Sequence, residues 1–172
     1  KKEIIEADVR NKERMSDLFE DVDTIMHLAA LTGVEECNEK SDEAFDVNVR
    51  GTENIARICR ENEISLIFPC TMAVFGNPSE FPLTGNSPRK PVNQYGLTKR
   101  MSEQDIELLS EGDFSSHVFI ISNAYGFHEI GGKRVEKNVV INYFIDRALD
   151  KKPITVYEPG TQERDFIHVK DI

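Results

Sequence analysis

The sequence predicts an α/β protein built on a parallel sheet. Strand-like and helix-like stretches alternate along the whole chain. The run Ile25-Met26-His27-Leu28-Ala29-Ala30 is nearly continuous in apolar and small residues, as expected of a strand covered on both faces. Small or polar residues (Asp8, Ala29, Ala30, Thr71, Asn123) stand where the strand-like runs stop, which is where open parallel sheets keep their ligands. A chain of 172 residues is long enough to bury one sizeable core.

In order, Lys1 to Val9 reads as an opening strand, and Asn11 to Glu20 as a short polar helix with Met15, Leu18 and Phe19 as its apolar edge. Thr24 to Ala30 is the next strand. Ser41 or Asp42 suits a helix N-cap, and Phe45, Val49, Ile55, Ala56 and Cys59 keep helical spacing until about Asn62. A third strand starts at Ser65 and runs towards Gly76. Residues 77–91, with Pro78, Pro82, Pro88 and Pro91, form a surface loop of a length that is usually functional or mobile. The long helix from Tyr95 to Glu111 is expected to turn Leu97, Met101, Leu108 and Leu109 inward and to stop at Gly112. His117 to Ser122 is a fourth strand, ending at Asn123-Ala124-Tyr125-Gly126. A basic loop from Gly131 to Lys137 leads to a helix from Asn138 to Asp150. Then come a short strand from Pro153 to Tyr157, a turn at Pro159-Gly160, and a closing strand at Phe166 to Val169. Both ends read as cut inside the fold, since each is already strand-like.

Charged residues at 30% and apolar ones at 39% describe a soluble globular chain. The net charge of −10 disfavours nucleic acid and anionic lipid as partners. Local Arg, Lys or helix amino ends can still take an anionic small molecule. No apolar run is long enough for a membrane span, and the amino end as given carries no signal peptide. Cys37, Cys59 and Cys70 are odd in number and lack metal or C-x-x-C spacing, which points to a reducing, cytoplasmic compartment and to buried thiols. His117, His128 and His168 have no metal spacing either, so no metal is expected.

The chemistry gathers at Asn93-Gln94-Tyr95-Gly96-Leu97-Thr98-Lys99. Tyr95 and Lys99 are four residues apart and so share one helix face. An ammonium near a phenol favours the phenolate, and a phenol so tuned accepts a hydroxyl proton near neutral pH. A Thr71 hydroxyl nearby would hold the substrate oxygen while its proton leaves, the arrangement needed to oxidise an alcohol by hydride loss. His27 reads as a core residue. Asn48 reads as a structural hydrogen-bonder toward a neighbouring strand rather than a ligand contact.

Five segments, in order, carry a resemblance to a known family: Asp8-Val9-Arg10; His27-Leu28-Ala29-Ala30; Asn48-Val49-Arg50-Gly51-Thr52; Thr71-x-x-Val74-Phe75-Gly76 with Tyr95-x-x-x-Lys99; and Arg164-Asp165-Phe166-Ile167-His168-Val169. The chain resembles an extended short-chain dehydrogenase/reductase of the NAD-dependent epimerase/dehydratase family, close to the UDP-glucose 4-epimerases, and would be the central part of a longer protein. The resemblance implies a Rossmann-type doubly wound parallel sheet without its first two strands and its G-x-x-G-x-x-G phosphate loop. It divides the chain into a partial NAD(P)-binding domain, 1–128, and the start of a smaller substrate domain, 129–172. It implies catalytic roles for Tyr95, Lys99 and Thr71, and NAD as cofactor held by Asp8, Val9, Ala29, Ala30, Tyr95 and Lys99. It also implies a UDP-sugar substrate held by Thr71, Asn123, Asn138 and Arg164, and a homodimer. Arg164 beside Asp165 also allows a local ion pair. The loop 77–91 and the helix from Asn138 would flank the substrate, with the basic pair Lys133-Arg134 suited to phosphate.

The sequence departs from the family at Pro69-Cys70, Ile120, Phe127 and Glu158, which spares the catalytic trio and bears on substrate identity. Met72 and Ala73 stand where dehydratases of the family carry Asp-Glu, and neither moves protons. The expected activity is therefore NAD-dependent 4-epimerisation of a nucleotide sugar. A keto-sugar reductase using NADH or NADPH is the alternative, and an inactive NAD(P)-binding sensor or scaffold the third.

Overall fold

The computed structural model describes residues 4–110, 114–136 and 139–172. The chain divides into two compact units, Lys1–Ile120 and Ile121–Ile172.

In the first unit β2 (Ser65–Thr71) lies between β1 (Thr24–Met26) and β3 (Ser116–Ile121). β1 runs parallel to β2, with Thr24 opposite Ser65 and Met26 opposite Ile67. Period-two alternation along β2 buries Leu66, Phe68 and Cys70. They join one core with Ile55, Ile58 and Cys59 of α4 (Gly51–Glu61) and Ile106 and Leu109 of α5 (Gln94–Leu109). Met15 of α1 (Lys12–Leu18) is buried in the same core, and Leu18 and Phe19 pack against it. Asn11 caps α1, its Oδ1 accepting from Arg14 N at 3.0 Å.

Several expectations give way to the structure. Residues 4–8 form no strand, because no strand among the described residues lies beside them to take up their backbone hydrogen bonds. β1 is only three residues long, and the run after it is not covered on both faces. Ile25 and His27 are buried, whereas Met26 is 58% and Leu28 66% exposed. Ser41 does not cap the helix that follows. The turns start earlier, with α2 (Val34–Glu39) and α3 (Ser41–Phe45), then a π turn at Asp46–Arg50 that passes into α4. Ala44, Asn48 and Thr52 form a buried row through this widened turn.

α5 keeps only Leu109 of the expected apolar face buried. Leu97 and Leu108 are exposed and Met101 is half-buried, while Thr98, Lys99, Ser102, Glu103, Ile106 and Leu109 are buried. The buried stripe is largely polar because its hydroxyls and carboxylate find partners inside, which makes their burial tolerable. Gly112, the expected stop, lies outside the described residues.

In the second unit β4 (Asn123–Tyr125) pairs in parallel with β7 (Phe166–His168). The expected basic loop is a hairpin, β5 (His128–Ile130) against β6 (Lys133–Val135). Its two-residue link, Gly131-Gly132, takes φ of 59° and 75°, the left-handed pair that a tight hairpin requires and glycine adopts freely. α6 spans Val140–Leu149. Residues 153–157 form no strand, and Ile154, Val156 and Tyr157 are exposed; the turn at Gly160 does form, its N–H donating to Tyr157 O at 2.9 Å.

Candidate active site

Thr71 is the last residue of β2 and caps a 3₁₀ turn, Met72–Phe75, its Oγ1 accepting from Ala73 N at 3.2 Å. Tyr95 lies in the first turn of α5. That turn is fixed by Asn93 Oδ1, which accepts from Gly96 N at 2.8 Å, and by Asn38 Oδ1 of α2, which accepts from Gln94 N at 3.1 Å. Gly96 lets the helix press against the 3₁₀ turn, since a Cβ there would come within 2.5 Å of Ala73 O. These contacts bring Tyr95 beside Thr71.

A buried hydrogen-bond network holds α5 in place. Asn48 receives Leu31 N on Oδ1 at 2.7 Å, and its Nδ2 donates to Leu31 O and to Thr98 Oγ1, both at 3.0 Å. Thr98 Oγ1 donates to Tyr95 O at 3.0 Å, and Ser102 Oγ donates to Asn48 O at 2.7 Å. Thr52 spends its one hydroxyl hydrogen on Asn48 O at 2.5 Å, so it accepts from His27 Nε2–H at 3.0 Å. His27 Nε2 therefore carries a proton. Burial, with the Lys99 charge adding to it, depresses its pKa to about 4. Every amide group of Asn48 is satisfied, tying the segment after β1 to α4 and α5.

The electrostatics differ from the expectation of a depressed phenol. Burial pushes the Tyr95 pKa up; the Thr71 hydroxyl beside it acts in the opposite sense, and the Cys70 and Cys37 thiols add to the rise. Lys99 is only 5% exposed, and burial lowers its pKa to about 8. Its Nζ lies 3.8 Å from the centroid of the Phe68 ring. What favours the phenolate here is the Thr71 hydroxyl.

Asp8, Val9 and Ala29 line one open groove of about 670 Å³, with Glu6, Ala7 and Val47. Arg10 grips the Asp8 carboxylate at 2.6 Å and holds its pKa down at about 2. Val9 faces Gly51, where a Cβ would meet its Cγ2 at 2.6 Å. Ala29 is exposed and Ala30 half-buried.

In the second unit, Asn123 is exposed and its Nδ2 donates to Asp165 O at 2.9 Å. Arg164 is exposed and donates to Glu163 O at 2.7 Å, and no ion pair between it and Asp165 is found among the described residues. Arg134 is held by Glu136 at 2.7 Å and Asp146 at 3.3 Å and lies over Phe127, so its charge is neutralised locally. Asn138 lies outside the described residues. Among the described residues no group of three His, Cys, Asp or Glu could hold a metal, and no helix is long and apolar enough to cross a membrane. Cys37, Cys59 and Cys70 are buried and free.

Two clusters escaped the sequence. Glu103, 2% exposed, takes Arg89 at 3.0 Å and Arg100 at 3.0 Å. Arg89 also donates to Gly85 O and Ser87 O, both at 2.6 Å, and stacks on Phe75, so it clasps the proline-rich loop to α5. In the second unit, Asn142 of α6 bonds both Gly126 N, at 2.8 Å, and Gly126 O, at 3.0 Å. The signal for the first was the i, i+4 continuation of Tyr95 and Lys99 into Glu103; the second had none.

Residues 1–172 match the model of the NAD dependent epimerase/dehydratase family. The chain belongs to that family. A Methanocaldococcus jannaschii protein, provisionally named a UDP-glucose 4-epimerase, is 33% identical over 176 residues, covering 100% of this chain and 57% of its own length. The structure of UDP-N-acetylglucosamine 4-epimerase from Methanobrevibacter ruminantium M1 with UDP-N-acetylmuramic acid aligns over 98% of this chain and 54% of its own, at 25% identity and a TM-score of 0.84. MoeE5 in complex with UDP-glucose and NAD aligns over 97% and 55%, at 26% identity and a TM-score of 0.77. The chain thus spans a little over half the length of these relatives, and its Rossmann-like parallel sheet is the family's fold.

Proposed function

We propose that the protein is an NAD-dependent 4-epimerase of nucleotide sugars, with Thr71, Tyr95 and Lys99 as its catalytic residues. The observation that carries this is the placing of Thr71 beside Tyr95 at the carboxyl end of β2, with the Lys99 cation one turn further along α5. Thr71 Oγ1 holds the sugar 4-oxygen, and Tyr95 accepts its proton and later returns it. Lys99 carries three N–H donors, and among the described residues none is taken by a protein acceptor, which suits the ribose hydroxyls of a dinucleotide. Asp8, Val9 and Ala29 would face its adenine end at the open groove. When bound, NAD supplies the acceptor for the C4 hydride. Thr71 and Tyr95 would have to hold the 4-oxygen with either face of the sugar presented to the cofactor. Met72 and Ala73 hold no proton-transferring group, which favours epimerisation over elimination of water.

The UDP-sugars and NAD named for the relatives support a UDP-linked substrate here, and the family resemblance makes Asn123, Asn138 and Arg164 the residues to test for contact with it. Leu97 and Leu108, exposed on one side of α5, fit a homodimer, and the three free thiols fit a cytoplasmic site. The test is incubation of the full-length protein with UDP-sugars, following sugar products and NADH absorbance. Redox-neutral isomerisation is expected. Net reduction of NAD by a UDP-sugar, or net oxidation of NADH when a UDP-keto-sugar is supplied, would replace the reading by a keto-sugar reductase, and inertness towards all UDP-sugars with intact NAD binding by a sensor.

A further inference from the structure

The Lys99 ammonium is deeply buried yet rests on a hydrocarbon face instead of an acceptor. Its Nζ stands 3.8 Å from the centroid of Phe68, in the middle of β2, itself 1% exposed. On the ring of Phe68, His27 is stacked at 5.8 Å and 28°. His27 in turn is pinned through Nε2 to Thr52, within the network that anchors α5. The cation and the neutral imidazole thus both lie against the one ring.

We propose that Phe68, with His27 beside it, is a positioning residue for Lys99: its ring holds the ammonium by cation–π attraction and leaves all three N–H donors for a ligand's hydroxyls. The physics favours a ring over a carboxylate at this place. A carboxylate would bind the ammonium more strongly and occupy its donors, whereas the ring's negative face attracts the charge and takes no hydrogen bond of its own. An aliphatic side chain would fill the same volume but give a buried cation nothing to offset its desolvation. His27 suits its place beside the ring only while neutral, since a second cation there would oppose the first. The other ionisable groups around Lys99 are Cys70 on β2, Tyr95 one turn before it on α5, and Glu103 one turn after it, already bound to Arg89 and Arg100. The inference rests on the role proposed above for Lys99, but its test does not require turnover.

The experiment places fluorinated phenylalanines (4-fluoro, 3,5-difluoro and 3,4,5-trifluoro) at position 68 of the full-length protein, alongside Phe68→Leu. The Lys99 pKa is read by NMR titration of 13C-labelled lysine, assigned with Lys99→Arg. Fluorine withdraws charge from the ring face at nearly constant shape, so the pKa is expected to fall stepwise with fluorine number. With Leu the fall should reach about one pH unit. The alkaline limb of turnover should move down in parallel. A Lys99 titration that ignores fluorination overturns the proposal, even if Phe68→Leu proves too unstable to study. A graded titration in a protein without epimerase activity would uphold the clamp and refute the catalytic reading.

Discussion

Arg89→Met tests whether the proline-rich loop is clasped to α5 by charge. The Glu103 carboxylate is 2% exposed and Arg89 12% exposed, so the pair is held away from water. Removing one partner of a buried pair costs about 3–5 kcal/mol, mostly because the other charge is left buried and unmatched. Here Arg100 stays on Oε2 at 3.0 Å, so the loss falls toward the lower figure, about 3 kcal/mol. The Gly85 and Ser87 carbonyls, both in the half-open loop, can turn to water and add little. Arg89→Met/Glu103→Leu removes both charges and is expected to lie within about 1 kcal/mol of the wild type, because a buried ion pair and a well-packed apolar pair are close in net stability. Urea unfolding of the four proteins gives the coupling energy directly. Limited proteolysis should cut the loop 77–91 faster in Arg89→Met than in the double variant. Additive losses, or a single-variant loss under about 1 kcal/mol, would refute a buried clasp.

Tyr95→Phe should bind NAD as the wild type does and lose turnover by about a hundredfold or more, the scale of a missing general acid/base; steady-state kinetics with a cofactor titration decides it. His27 gives a pH signature of folding. Its pKa of about 4 lies below the unfolded value of 6.5, so its contribution is full above pH 6.5 and lost as pH falls towards 4, a span worth about 3 kcal/mol. Urea midpoints measured across that window should drop with acid, and His27→Gln should flatten the slope. Arg164→Ala should weaken nucleotide-sugar binding and spare NAD binding; calorimetric titration of both ligands tests this, and equal weakening would make Arg164 structural.

The sequence by itself determined the alternation of strand and helix, and the positions of Thr71, Tyr95 and Lys99, because those depend on local spacing and on ordered short motifs. It also placed His27 in the core and made Asn48 a structural hydrogen-bonder, both of which the structure bears out, with Leu31 and Thr98 as the partners of Asn48. Tertiary structure alone decided which face of α5 is buried. Periodicity assumes that apolar residues go inside, and it points to Leu97 and Leu108. The helix instead buries Thr98, Lys99, Ser102 and Glu103, because partners distant in sequence satisfy them: Asn48 lies 50 residues before Thr98. The same holds for the site's charges. Spacing put Lys99 near Tyr95 and suggested a lowered phenol pKa. Burial, which no local pattern encodes, raises it and sets the ammonium on Phe68, 31 residues back along the chain on a different element. A group's protonation follows the solvent it loses and the partners it meets, and both are settled only when the chain packs.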